Sequence, residues 1–211
     1  MDRKQWLQER KKGIGGSDAS AVVGMNPYKN NIELWEEKTG KKEPEDISNK
    51  DYVLYGINSE PHLRELFKLD YPQYKVDYNE FKLHKNPTYP FIFSTLDGEL
   101  QDLETGERGV LEIKCTNILQ SMQREKWNDQ IPQNYYIQAL HQLLSTGWDF
   151  VILKAHLKTE WGGEVRIQTK HYTIKRSEVE IDIAYLKEKE IEFWTEYVQK
   201  VRKPNLILPN I

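Results

Sequence analysis

One short segment, in which apolar and polar residues alternate, constrains this chain more than any other feature. In GVLEIKCT (109–116), Leu111 and Ile113 point one way, and Glu112 and Lys114 project together from the other face. A period of two residues is typical of a β-strand that packs one face into the core. The sequence therefore predicts a strand whose second face carries a carboxylate beside an ammonium group.

A second carboxylate, Asp97, lies upstream of this strand. The stretch 91–102 is predicted to form another strand, and 105–108 the turn that joins the two. If the hairpin turns near 105–106, Asp97 lies opposite Glu112 or Lys114, and either register leaves the Cβ atoms about 5–8 Å apart. Two carboxylates that close repel each other unless a cation lies between them. Carboxylate, carbonyl and water oxygens suit Mg²⁺, so the pattern predicts a metal-dependent hydrolytic site in which Lys114 orients or polarises the attacking water.

A simpler interpretation of the same residues stays open at this point. Glu-x-Lys pairs are common on solvated strand faces, and Asp97 followed by glycine is an ordinary turn dipeptide. The metal site is favoured because Glu112 and Lys114 lie in the most apolar strand candidate of the middle third of the chain, within reach of Asp97.

Further motifs follow in order between residues 10 and 147. They are RKKGIGGSDAS (10–20), GMNPY (24–28), LWEEKTG (34–40), GINSEP (56–61), STLDG (94–98), LEIK (111–114) and IPQNYYIQ (131–138). The ordered set resembles the phage-type exonuclease family of the restriction-endonuclease-like, PD-(D/E)xK superfamily. This family includes bacteriophage lambda exonuclease and the YqaJ-like viral recombinases. Beyond residue 150 the chain shows compatible secondary structure but no signature.

The resemblance implies a role for each residue of the LEIK motif and for the preceding aspartate. Asp97 and Glu112 are the implied metal ligands, and the backbone carbonyl of Ile113 completes the protein's share of the ligands. Lys114 is the implied catalytic lysine.

Four further residues receive a role from the resemblance, although each has a simpler interpretation. Glu60 would position metal-bound water or a second ion, but it also resembles an acidic N-cap before a proline. Gln138 would support the catalytic group from the following helix, but it could equally lie on a solvated helix face. Arg10 and Ser17 would hold the 5′-phosphate of a DNA end. Ser17 is also a good N-cap for a short helix, whose N-terminus beside basic residues would suit a phosphate.

The resemblance further implies an α/β fold with a restriction-endonuclease-like core, in which a mixed central β-sheet is flanked by helices on both faces. A single nuclease domain over 1–211 would comprise an N-terminal phosphate-binding helical part (1–50), a catalytic core (56–175) and a C-terminal helix and tail (176–211). The implied activity is that of a Mg²⁺-dependent deoxyribonuclease, with Mn²⁺ as a substitute, that degrades duplex DNA from 5′ to 3′ in recombination.

The implied partners are duplex DNA ends, a single-strand annealing protein and further copies of the chain in a ring-shaped trimer. Two alternatives stay open. One is an endonuclease of the same fold, and the other is a non-catalytic recombination adaptor that binds DNA ends.

Composition narrows these possibilities. The 30 basic and 33 acidic side chains give a net charge of −3, which argues against wrapping of nucleic acid by overall charge but not against a nuclease with an acidic site. The basic residues cluster locally, before the first glycine loop and near the end (Arg3, Lys4, Arg10, Lys11, Lys12; Lys200, Arg202, Lys203).

The single cysteine, Cys115, excludes the four-cysteine iron–sulfur cluster of the Cas4-like branch. Without a visible signal peptide or long apolar run, a cytoplasmic location with no membrane partner is expected. The resemblance implies that the chain is encoded by a phage or prophage and acts in a bacterial host cell.

Periodicity and capping signals complete the predicted order of elements. A helix from Pro132 to near Ser145 places Tyr135, Gln138 and Gln142 on one face. Trp127 is predicted to be exposed in a mobile or helical segment. The other predictions are a helix over 60–69, strands over 75–84, 91–102, 109–116, 150–157 and 165–174, and a capping box at Ser177-x-x-Glu180 that opens a helix to about 202.

Overall fold

The computed structural model describes residues 1–208, apart from the side chain of Trp161. A central sheet contains five strands, which in spatial order are β1 (Tyr74–Asp77), β4 (Gly98–Asp102), β5 (Arg108–Asn117), β6 (Phe150–Trp161) and β7 (Glu164–Lys175). β5 and β6 are parallel, and the other neighbouring pairs are antiparallel. Two short strands, β2 (His84–Lys85) and β3 (Phe93–Ser94), pair in a separate sheet.

Helices cover both faces of the central sheet. On one face, α4 (Asp51–Asp70) packs Leu63 and Phe67 against Leu111 and Ile113 of β5. On the other face, the core lies between the sheet and α2 (Gly16–Val22), α6 (Gln133–Thr146) and α7 (Glu180–Glu192). The predicted mixed sheet with helices on both faces is confirmed. The remaining helices are α1 (Arg3–Arg10), α3 (Asn31–Lys38), α5 (Ser121–Glu125), a 3₁₀ turn (Arg176–Glu178) and a π-helical segment (Phe193–Val198).

The central strand β5 has two different halves. Its first half, Arg108–Leu111, is paired with β4 on one side, whereas β6 pairs with Gly109–Asn117 along the other side. Within residues 1–208, the ladder between β4 and β5 ends at Gly98 and Leu111. The backbone from Glu112 onward is therefore open on the β4 side, and the residues that follow Leu111 face a gap in the sheet.

Several predicted elements have different boundaries in the structure. Helix α4 begins at Asp51, so Glu60 lies in its interior and the interpretation of Glu60 as an N-cap is wrong. The stretch 91–102 is not one strand, because β3 pairs with β2 in the small sheet and only β4 joins the central sheet. Asp97 lies in the turn between β3 and β4. The strand predicted over 75–84 is likewise divided between β1 and β2.

Two further predictions are wrong for reasons of packing. Trp127 is not exposed: only 2% of its surface is accessible, and its ring packs against Tyr135 and Tyr172. The capping box at Ser177 does not form, because Arg176–Glu178 makes a 3₁₀ turn and α7 begins after it at Glu180.

Candidate active site

A cavity of about 330 Å³ opens beside the unpaired half of β5. It is lined by every residue that the sequence analysis assigned to the site, and these residues come from four helices, from β5 and from the turn before β4. They are Arg10, Ser17, Glu60, Asp97, Glu112, Ile113, Lys114 and Gln138. The structure thus brings the predicted residues together, while their chemical roles stay predictions.

Asp97 lies at the point where β4 leaves the ladder. The ladder stops at the pair of Gly98 and Leu111, and its register corresponds to Asp97 opposite Glu112, which is one of the two registers left open by the sequence. The Ile113 N–H donates to Asp97 Oδ2 over 2.8 Å, so it points toward the gap in the sheet. Because the N–H and C=O of one strand residue point to the same neighbouring strand, the Ile113 carbonyl also faces the gap.

The charge of Asp97 is poorly balanced. Within residues 1–208, its carboxylate forms no ion pair, and the Ile113 N–H is its one hydrogen-bond donor. Burial raises the pKa of Asp97 well above its usual range, and the nearby Glu112 and Glu60 carboxylates raise it further. A cation in the cavity would stabilise the ionised form of this group.

Glu112, in contrast, is closely surrounded by donors and is only 3% exposed. Its Oε1 lies 2.5 Å from Lys114 Nζ and accepts a hydrogen bond from Gln138 Nε2 over 2.6 Å. Its Oε2 accepts a hydrogen bond from Gln142 Nε2 over 2.5 Å. Both oxygens of this carboxylate are therefore held in place by the fold.

Lys114 remains a cation in this setting. Burial disfavours the charged ammonium, but the Glu112 and Asp97 carboxylates outweigh this effect and raise the pKa of Lys114. Its Nζ also lies 5.0 Å from the ring centroid of Tyr135. A protonated lysine cannot accept a proton, so the chemistry open to Lys114 is to orient water or phosphate by charge and hydrogen bonding.

Glu60 is held by a residue that the sequence analysis missed. Arg64, one turn later in α4, lies 2.5 Å from Glu60 Oε1 through its Nη2, and its Nε donates to the backbone carbonyl of Asp97. Burial raises the pKa of Glu60, although Arg64 opposes this shift. The i,i+4 spacing of Glu60 and Arg64 was the available signal. Their connection to Asp97 could not be read from the sequence because it depends on the packing of α4 against the turn.

Arg10 and Ser17 form the end of the cavity that lies beside α1 and α2. The prediction that Ser17 is a helix N-cap is wrong, because α2 begins at Gly16 and its N-cap is Gly15. Arg10 Nη2 donates to Ser17 Oγ over 3.3 Å, and its guanidinium carbon lies 4.6 Å from the ring centroid of Trp6. This arrangement places one cation and one hydroxyl side by side on the cavity wall.

A buried ion pair, also missed by the sequence analysis, fixes this end of the cavity. Lys38 Nζ lies 2.7 Å from Asp18 Oδ2 and donates to the Arg10 carbonyl over 3.1 Å. The same Asp18 oxygen accepts from the Gly15 N–H. At Gly13, a Cβ would come within 2.1 Å of the Phe91 carbonyl oxygen, so the close approach of this loop to the segment before β3 requires glycine.

The donor set fits a magnesium ion. Among the described residues, no three His, Cys, Asp or Glu side chains are grouped so that they could hold a metal ion. Ligation would therefore combine the Asp97 and Glu112 carboxylates with the Ile113 carbonyl and with water. Mg²⁺ accepts such hard oxygen donors, and it usually keeps several of its own water molecules.

The sequence matches the model of the YqaJ-like viral recombinase domain over residues 5–149. The chain belongs to this family. It is 33% identical over 207 residues to the uncharacterized protein YqaJ of Bacillus subtilis (strain 168), and the match covers 98% of this chain and 60% of that protein. The chain thus spans only about three fifths of the length of this relative.

Solved structures with a similar fold include two exonucleases. The alkaline exonuclease LHK-Exo from Laribacter hongkongensis is 20% identical, with a TM-score of 0.63 and coverage of 94% of this chain and 97% of that one. A phage related exonuclease from Haemophilus somnus 129PT is 14% identical, with a TM-score of 0.58 and coverage of 90% and 95%. These similarities confirm the fold expected from the motifs. Among the described residues, no helix combines the length and the apolar character needed to span a lipid bilayer.

Proposed function

We propose that this protein is a Mg²⁺-dependent deoxyribonuclease that degrades one strand of duplex DNA from its 5′ end. The observation that carries this proposal is the buried Asp97 carboxylate, which forms no ion pair within residues 1–208 and lies near Glu112 at the open half of β5. Two carboxylates and a carbonyl that faces the gap in the sheet would hold a metal ion, and the positive charges of this ion and of the adjacent ammonium group suit hydrolysis of a phosphodiester, because the substrate and its transition state are both anionic.

Each residue of the cavity has a distinct role in this proposal. Asp97, Glu112 and the Ile113 carbonyl hold Mg²⁺, which when bound supplies positive charge at the phosphate and lowers the pKa of water. Lys114 donates hydrogen bonds to the attacking water or to a non-bridging phosphate oxygen, since its raised pKa keeps it protonated. Gln138 holds Glu112, and Glu60 positions water on the α4 side of the cavity.

The residues on the opposite side of the same cavity are the basis for the proposed preference for DNA ends. Arg10 and Ser17 would bind a terminal 5′-phosphate, the former through charge-assisted hydrogen bonds and the latter through its hydroxyl group. The names of the two structural relatives, both exonucleases, support action from an end. The single-strand annealing partner, the trimer and the cytoplasmic location rest on the family resemblance alone.

The test compares linear and covalently closed circular duplexes of the same sequence, each incubated with Mg²⁺ and with EDTA. We expect digestion of the linear form only, with loss of all activity in EDTA. Nicking of the circle would favour the endonuclease of the same fold, and cleavage of neither form would favour the DNA-end adaptor. Glu112→Gln is the control against a contaminating nuclease, because it removes one proposed ligand charge and keeps the size of the side chain.

A further inference from the structure

Gln142 is a buried polar residue in contact with the proposed metal site. Its accessible surface is 0%, and its Nε2 donates to Glu112 Oε2 over 2.5 Å. Its own Oε1 is buried without a hydrogen-bond partner among the described residues. A buried amide oxygen without a partner is unfavourable, so the contact that the amide nitrogen makes with Glu112 needs an explanation beyond packing.

The position of Gln142 on α6 explains which group its amide nitrogen binds. Gln138 and Gln142 are one helical turn apart, so both side chains point from α6 toward the same strand. Gln138 donates to Glu112 Oε1, and Gln142 donates to Oε2. Lys114 also bonds Oε1, so among the described residues Gln142 is the only donor to Oε2.

We infer that Gln142 is a positioning residue that fixes the second oxygen, Oε2, of the Glu112 carboxylate. Gln138 and Lys114 together hold Oε1, but with this oxygen alone held, small changes in the side-chain torsions of Glu112 still let Oε2 swing about it. The second bond, from Gln142, removes this freedom, and the carboxylate meets a metal ion in a single orientation. The inference rests on the proposed function, because it assigns Gln142 to the metal site through Glu112.

A purely structural role for Gln142 makes a different prediction. If the amide served only to pair a buried carboxylate, its loss would lower the stability of the fold but leave the affinity for metal unchanged. A positioning role requires a change in metal affinity, since residues that orient metal ligands typically alter affinity about 10–100-fold when they are replaced.

The test uses Gln142→Met, which keeps the length of the side chain and removes the donor. Isothermal titration calorimetry measures the Mg²⁺ dissociation constant of the full chain without DNA, and urea unfolding in EDTA measures stability separately. We expect the dissociation constant to rise about 10-fold or more. The Mg²⁺ concentration that gives half-maximal cleavage of a linear duplex should rise in parallel, while saturating Mg²⁺ restores most of the rate.

Ser145→Ala is the matched control on the same helix. Ser145 is buried and donates to Ser94 Oγ over 2.7 Å, in contact with β3 rather than with Glu112. This variant should lose stability and keep the wild-type affinity for Mg²⁺. An unchanged dissociation constant in Gln142→Met, or an equal rise in Ser145→Ala, would overturn the inference. If Gln142→Met does not unfold cooperatively, Gln142→Asn, which is one methylene too short to reach Oε2, replaces it under the same criteria.

The experiment also separates failure of this inference from failure of the proposed function. If wild type and Glu112→Gln bind Mg²⁺ equally well, the proposed metal site is wrong and the inference fails with it. If Glu112→Gln loses Mg²⁺ binding but Gln142→Met retains it at wild-type strength, the metal site stands and the inference alone fails.

Discussion

Glu112 and Asp97 face the same cavity, but the fold surrounds these two carboxylates in opposite ways. Glu112 receives Lys114, Gln138 and Gln142 from two elements, so its charge and both its oxygens are satisfied. Asp97 receives one backbone N–H, and burial together with two carboxylates raises its pKa. The difference indicates that one ligand of the proposed metal site is oriented in advance, whereas the other carries a repulsion that a bound cation would relieve.

The largest expected effect is the loss of cleavage when either carboxylate is removed. Asp97→Ala or Glu112→Ala should reduce single-turnover cleavage by about 10³-fold or more, because each change removes a proposed ligand of the Mg²⁺ ion whose positive charge would stabilise the transition state. Gel-shift assays should show that both variants still bind duplex DNA. Near-wild-type cleavage by one variant in Mg²⁺ would show that the carboxylate removed in that variant is not a metal ligand. Asp97 and Glu112 could then no longer be compared as two ligands of one metal ion.

Removal of the Lys114 ammonium group should lower the rate of cleavage almost as much. Lys114→Ala should reduce the single-turnover rate about 10²- to 10³-fold, as expected for loss of one donor to a transition state. Mn²⁺ titration should show that metal still binds. Lys114→Arg should restore the rate only in part, since a planar guanidinium does not replace a compact point charge. Unchanged chemistry in Lys114→Ala would limit this lysine to balancing the charge of Glu112.

Stability in the absence of metal should separate the two carboxylates most clearly. Glu112→Gln should lower the free energy of unfolding by about 3 kcal/mol, because it leaves Lys114 beside a neutral group. Asp97→Asn should instead raise the free energy of unfolding at neutral pH, because it removes a charge that burial and two nearby carboxylates disfavour. The sign of this change follows from the raised pKa of Asp97 in the folded protein. As the pH rises above the pKa that Asp97 has in the unfolded chain, ionisation of this group destabilises the folded state, and the destabilisation grows until the pH passes the higher pKa of the folded protein.

Urea unfolding in EDTA near pH 7 measures both changes. Wild type should also gain stability relative to Asp97→Asn as the pH falls below the raised pKa of Asp97. Added Mg²⁺ should stabilise wild type more than either variant. If Asp97→Asn is as destabilising as Glu112→Gln, then the two carboxylates do not differ in the way that their surroundings indicate.

The smallest expected effect lies at the far end of the cavity, where a change leaves both carboxylates intact. Wild type should digest a 5′-phosphorylated duplex faster than a 5′-hydroxyl duplex, and Arg10→Ala should reduce this preference about 10-fold through loss of charge-assisted hydrogen bonds. Initial rates at one fixed ionic strength measure the preference, because salt weakens such contacts. Equal wild-type rates on the 5′-phosphorylated and 5′-hydroxyl duplexes would reject the phosphate pocket and favour the alternative of an endonuclease with the same fold.

Local patterns predicted the parts of the site that lie within one element. The alternation of 109–116 placed Glu112 and Lys114 on one face of β5, and helical spacing placed Tyr135, Gln138 and Gln142 on one face of α6. The same kind of pattern failed at 91–102, where an apolar run looks continuous although β3 pairs in a different sheet from β4. Strand pairing of that kind depends on distant partners, and periodicity carries no information about them.

The sequence by itself determined which side chains share a face and which family motifs occur in order, since both depend on residues close together along the chain. The tertiary structure alone decided that β4 begins only at Gly98 and so leaves β5 open from Glu112 onward. It also decided that Arg64 reaches the Asp97 carbonyl, and that the Asp97 carboxylate forms no ion pair among the described residues. These features arise from burial and electrostatic interactions between segments far apart in the sequence, so they exist only once the chain has folded.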